Sequence, residues 1–112
     1  VKYFTNTFLA TKVSFANEMK MLCDELKIDY DKVVEYSTYD ERLGKSHWAV
    51  PGPDGKLGFG GSCFPKDLNA LIHLARNLET SLNTIGGAWD TNLDVRPEED
   101  WKELKGRAVV DE

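Results

Sequence analysis

The sequence predicts an all-α fold, and three observations carry that prediction. Apolar residues from Phe4 to Leu26 recur at spacings of three and four with no Gly or Pro between them. A second amphipathic run, Leu68 to Leu78, follows Pro65, a residue suited to the first turn of a helix. No two segments read convincingly as paired strands.

The first helix is expected over residues 2–28. Phe4, Phe8, Thr11, Phe15, Met19, Leu22 and Leu26 form its stripe, widened by Leu9, Val13 and Ala16. So broad an apolar face needs several neighbours, and the rest of the chain offers little cover, so a second copy is the expected partner. A short helix follows over 31–38, capped by Asp29 or Asp31, with Val33, Val34 and Tyr36 as its inward contacts. Residues 39–63 hold six glycines and two prolines and read as one long loop. Trp48, Val50, Leu57 and Phe59 give that loop apolar anchors, which favours an ordered, functional segment over a disordered one. The helix at 65–78 presents Leu68, Leu71, Ile72, Ala75 and Leu78 on one face. A looser helix is expected over 81–93 and a short one from Pro97 to Lys105, stopped by Gly106. Residues 106–112 read as the start of a strand.

A chain of 112 residues suits a single domain with one modest core. Its net charge of −5 gives no basic field to attract nucleic acid or an anionic membrane, though it leaves room for a local cationic pocket. No apolar run approaches membrane-spanning length, and nothing resembles a signal peptide. With only Cys23 and Cys63 there is no disulfide framework, so a reducing, cytoplasmic setting is expected. The chain opens with Val directly into a helical pattern and reads as a piece of a longer protein.

The segment Gly58 to Asp67, "GFGGSCFPKD", poses the functional question. Cys63 stands at the N-terminal edge of a helix with Lys66 nearby, a setting that suits a nucleophilic sulfur. Three glycines before it let backbone approach a ligand and aim N–H groups at an anion. Asp67, four residues on, falls on the same helical face and could order a water or hold a proton. From the residues alone, a packing thiol remains the plain alternative. Cys23, His47, Cys63 and His73 lack the paired ligand spacing of zinc modules, so no metal is expected. Lys2 and Asn6 share a helical face and could bind an oxyanion or fix a water, although an ordinary polar face would look the same. Arg42, in "DERLG", suits a phosphate, with a solvated surface charge as its alternative.

These signals coincide in a pattern. Through "KYFTNTFLATKVSFANEM", "DERLGKSH" and "PGPDGKLGFGGSCFPKD", the chain resembles the UDP-glucose/GDP-mannose dehydrogenase family over residues 2 to about 78. The resemblance implies a central helical domain over 1–96 that binds substrate and forms a homodimer through the long helix. It makes 97–112 a short helix and tail leading toward a further domain. It implies oxidation of the C6 alcohol of a nucleotide sugar to a carboxylate, with NAD⁺ bound mainly by a domain absent from this sequence. UDP-glucose is the favoured sugar, and GDP-mannose is the alternative. Cys63 would carry a thiohemiacetal and then a thioester, Lys2 would stabilise the oxyanion, and Asn6 and Asp67 would handle sugar, water and proton. Arg42 would reach a substrate phosphate across the dimer, Phe59 and Gly60 would line the sugar pocket with backbone, and Lys66 would face the cofactor. A helical dimerisation module without catalysis is the other functional class.

Overall fold

A computed structural model describes residues 1–104 of the protein. Among them are α1 (Lys2–Glu25), α2 (Tyr30–Ser37), α3 (Cys63–Asn77) and α4 (Asn83–Val95), with 3-10 turns at Glu41–Leu43 and Asp100–Leu104 and no strand. The all-α class is therefore as expected. The strand start expected at 106–112 lies outside the described residues, as do Lys105 and Gly106. α1 is the spine: it packs against α2, α3 and α4, and α3 also touches α4.

The helix ends depart from expectation for a local reason. α1 stops at Glu25, not at residue 28, because Lys27 turns into the left-handed region at φ 57°. Ile28 N–H then donates to Cys23 C=O at 2.8 Å and Lys27 N–H to Asp24 C=O at 3.2 Å. α3 closes the same way, with Glu79 at φ 56° and Thr80 N–H donating to Ala75 C=O at 2.8 Å. Both are Schellman closures with a charged residue where glycine usually sits. α2 starts where its cap predicts: the Asp29 side chain accepts from the Asp31 and Lys32 N–H groups.

The faces also differ from the expected ones. The intramolecular face of α1 is built from small and polar residues: Thr7, Ala10, Ser14, Ala16, Asn17 and Cys23. Small side chains let α3 and α4 approach closely, and the buried polar groups among them are largely bonded. Ser14 Oγ donates to Ala88 C=O at 2.7 Å and Asn17 Nδ2 to Val13 C=O at 2.8 Å. Of the expected stripe, Phe4, Phe8, Phe15 and Leu22 are left 81%, 63%, 53% and 49% exposed, on the face for which a second copy is the expected partner, while Val13, Ala16 and Met19 pack into the apolar clusters. In α2 the buried contact is Tyr30, while Tyr36 and Val33 are exposed and Val34 is half-buried. Tyr30 O–H donates to Trp48 C=O at 2.6 Å, and burial pushes its pKa up to about 12. On α3, Leu68 and Ala75 are buried, but Leu78 is exposed.

Two apolar clusters result. Ala16, Cys23, Tyr30 and Val50 form one, backed by Trp48 and Met19. Ala10, Phe59 and Leu68 form the other, with Phe64, Ile72 and Trp89 against it. Val50 and Phe59 thus serve as loop anchors, whereas Leu57 is exposed.

Candidate active site

Cys63 is the first residue of α3 and its side chain is exposed; Ser62 Oγ lies 3.9 Å from Sγ. Cys23 is also a free thiol, but it is buried in the first apolar cluster. One turn along α3 from Cys63, Asp67 is only 1% exposed. Its Oδ2 accepts from Asn6 Nδ2 at 2.7 Å, which ties α3 to the first turns of α1. Lys2 stands one turn before Asn6 on α1 and is exposed. The fold therefore strings Lys2, Asn6, Asp67 and Cys63 along two contacting helix ends. Asp67 Oδ1 and Thr7 Oγ1 are buried near this junction without a hydrogen-bond partner among the described residues. A carboxylate with one oxygen bonded and one open is suited to hold a water or a proton.

The glycines before Cys63 have separate reasons. Gly58 sits at φ +67°, and a Cβ there would collide with Asn92 Oδ1. A Cβ at Gly60 would collide with the Arg96 guanidinium. Gly61 sits at φ +73° with nothing within 4 Å of its Cβ position. Two of the three glycines are thus required by close approach of the protein itself. Only Gly61, two residues before the thiol, faces open space.

Residues outside the motif hold this turn in place. Asn92, fully buried on α4, accepts from Phe59 N–H at 2.7 Å and donates to Phe59 C=O at 3.0 Å. Asn17 Oδ1 accepts from Gly58 N–H at 3.1 Å. Arg96, 2% exposed, pairs with Asp54 at 2.6 Å and with Asp100 at 2.8 Å, and also donates to Leu57 C=O at 3.3 Å. Burial opposes the Arg96 charge, but hydrogen bonds to Asp100 and Asp54 outweigh it and raise its pKa. The Arg96 hydrogen bond holds Asp100 below its ordinary value; Asp54 is also lowered, its bond to Arg96 overcoming the cost of burial. Sequence reasoning missed Asn17, Asn92 and Arg96, because a polar residue buried on a helix carries the same letter as one facing water. The spacing of four between Asn92 and Arg96 was the available signal.

Beside the turn is a cavity of about 450 Å³, lined by His47, Asp54, Phe59, Gly60, Gly61 and Phe64 among others. Phe59 and Gly60 do line it, but both backbone groups of Phe59 are engaged by Asn92. His47 and Phe64 face each other with ring centroids 6.0 Å apart. Arg42 is not among the lining residues. Its side chain is 88% exposed and is held by Asp40, which accepts at 3.0 Å and 2.6 Å from Nε and Nη2. Lys12 Nζ fixes the same turn by donating to Leu43 C=O at 2.8 Å, over the Trp48 ring. Lys66 is exposed on the first turn of α3.

Among the described residues no group of three or more His, Cys, Asp or Glu could hold a metal ion, and no helix is long and apolar enough to cross a membrane. The described residues also do not fit a dinucleotide: with no strand, there is no strand-to-helix glycine turn to cradle a pyrophosphate.

Residues 1–94 match the family model of the UDP-glucose/GDP-mannose dehydrogenase family, central domain. A UDP-glucose 6-dehydrogenase of Bacillus subtilis is 44% identical over 79 residues, which is 70% of this chain and 17% of that protein. One from Haloferax volcanii is 36% identical over 111 residues, 99% of this chain and 24% of that protein. The solved structure of a UDP-glucose dehydrogenase from the hyperthermophilic archaeon Pyrobaculum islandicum superimposes with a TM-score of 0.74 at 39% identity. That match covers 82% of this chain and 20% of that one. The chain spans about a fifth of the length of these relatives. With its helical fold, its thiol at a helix start and a family match over residues 1–94, the chain belongs to the UDP-glucose/GDP-mannose dehydrogenase family, in the region of its central domain.

Proposed function

We propose that this chain is the helical, nucleophile-bearing domain of an NAD-dependent dehydrogenase that oxidises UDP-glucose to UDP-glucuronate. The observation that carries the reading is the Asn6–Asp67 hydrogen bond of 2.7 Å, which brings α1 against the helix that begins with an exposed Cys63. In this reading Cys63 Sγ adds to the C6 aldehyde carbon and the carbonyl oxygen takes the electron pair, stabilised by the Lys2 ammonium. C6 loses one hydride, with the hydroxyl proton, to become the aldehyde and a second from the thiohemiacetal to become the thioester; NAD⁺ would be the acceptor of both. Water held by Asp67 and Asn6 then attacks the thioester carbon, the C–S bond breaks, and the carboxylate and free thiol are released. Arg42 binds a phosphate of the sugar nucleotide in the neighbouring copy of a homodimer. Lys66 would contact the cofactor, held mainly by another domain. The working domain spans residues 1–96, and the chain alone does not turn over.

Turnover of the full polypeptide that carries this segment tests the reading. Steady-state UDP-glucuronate formation from UDP-glucose should disappear in Cys63→Ser, because a hydroxyl is a poorer nucleophile and leaving group. Cys23→Ser, altered only in a packing thiol, should retain most of the rate. Near wild-type UDP-glucuronate formation by Cys63→Ser would refute it, and oxidation of GDP-mannose in preference to UDP-glucose would move the substrate to the alternative sugar.

One observation favours a second role as a dimerisation module: the row of exposed side chains Phe4, Phe8, Phe15 and Leu22 on α1. A self-associating chain with no effect of Cys63→Ser on any turnover would leave that role alone.

A further inference from the structure

We propose that Arg96 is a positioning residue for the Cys63 sulfur, acting through the turn at Gly58–Gly61; this rests on the reading of Cys63 as the nucleophile. One planar group touches the loop at three places. Nη2 bonds Asp54 Oδ2 at 2.6 Å, Nη1 bonds Leu57 C=O at 3.3 Å, and the guanidinium lies against Gly60 so closely that a Cβ there would collide with it. Asp100 sets the plane by accepting from Nε at 2.9 Å and from Nη2 at 2.8 Å. Gly60 is three residues before Cys63, and between them only Gly61 and Ser62 span from the clamp to the helix. Among the described residues none lies within 4 Å of a Cβ at Gly61, so the Arg96 contact at Gly60 and the start of α3 are the holds nearest in sequence to the thiol.

Packing alone does not require this arrangement, since an apolar side chain fills a buried volume without the cost of desolvating a charge. A guanidinium does what an apolar group or a lysine cannot. It fixes three loop positions and a carboxylate in one plane, whereas an ammonium offers a single point of contact on a flexible stem. Shifting a nucleophile by ~1 Å through a remote change can lower the rate by ~100-fold. Because Gly60 and Asp54 also line the cavity, loss of the clamp is expected mainly in kcat, with a smaller effect on KM.

The test compares Arg96→Met, Arg96→Lys and Asp54→Asn in the full polypeptide that carries this segment. The measurements are kcat and KM for UDP-glucose, and amide hydrogen exchange across residues 2–95. The expected result is a loss of kcat of ~100-fold in both Arg96 variants with KM changed less than about threefold. Exchange should quicken over Leu57–Cys63 while α1 and α3 keep their protection. Asp54→Asn, which leaves the Arg96–Asp100 pair intact, should show the same local loosening with a smaller loss of kcat. It also answers the question if the Arg96 variants do not fold. Wild-type kcat in Arg96→Lys, absence of local loosening in Asp54→Asn, or loss of protection throughout α1 and α3 together with kcat would each overturn the proposal. If the unaltered protein oxidises neither UDP-glucose nor GDP-mannose, the reading of Cys63 fails and takes the positioning role with it. Loss of kcat confined to the Arg96 and Asp54 variants of an active protein is the pattern that bears on Arg96.

Discussion

Gly60 and Gly61 are neighbours with the same letter and different reasons for it. Gly60→Ala should destabilise the protein by ~1–3 kcal/mol, because its methyl group meets the Arg96 guanidinium. Gly61→Ala should cost ~1–2 kcal/mol from the positive φ alone. Urea unfolding of a double-mutant cycle separates them: Arg96→Ala should relieve the Gly60→Ala cost and leave the Gly61→Ala cost unchanged. At this scale the sequence was partly legible. Cys63 and Asp67, and Lys2 and Asn6, were placed on common helix faces by their spacing of four, and the structure adds the Asn6–Asp67 bond between the two pairs. Asn92 and Arg96 were not legible, because what makes them important is burial, which depends on where α4 lies.

The helices themselves were legible in type and position, but their ends and inward faces were less so. Lys27 and Glu79 close α1 and α3 in a left-handed conformation that glycine usually marks, so no letter signalled the stop. The apolar stripe of α1 is split: Phe4, Phe8, Phe15 and Leu22 face outward, while Val13, Ala16 and Met19 pack inward beside small and polar residues. That split gives a prediction for the proposed dimer. Phe4→Glu with Phe8→Glu should leave the fold of the single chain intact, since both side chains are mostly exposed. Analytical ultracentrifugation at micromolar concentration should show the unaltered chain as a dimer and this variant as a monomer. Identical sedimentation of the two would show that this face is not the interface.

Over the whole molecule, the Arg96 cluster joins the loop, α4 and the C-terminal 3-10 turn through charge, so it should give stability a definite pH dependence. Asp54 and Asp100 both sit below their ordinary pKa of 3.8 in the folded chain. The unfolded chain therefore binds more protons in that range, and stability rises with pH there. Their contribution is present above about pH 4 and is lost as pH falls through the lower, folded values. Thermal unfolding followed across acid pH should show this loss, and Asp100→Asn should weaken the dependence. An unchanged profile in Asp100→Asn would show that the acid sensitivity comes from elsewhere.

The grip of Asn92 on Phe59 makes one amide side chain stand in for a missing backbone partner. By offering one donor and one acceptor to the same residue, the amide supplies what an adjoining β-strand would, at 2.7 and 3.0 Å. The backbone of the buried Phe59 is thus paired in a helical protein with no strand beside it among the described residues. Asn92→Leu, close in volume, should strand both groups at ~1–3 kcal/mol each. Urea unfolding should show that loss, whereas Asn77→Leu, on the exposed end of α3, should leave stability nearly unchanged.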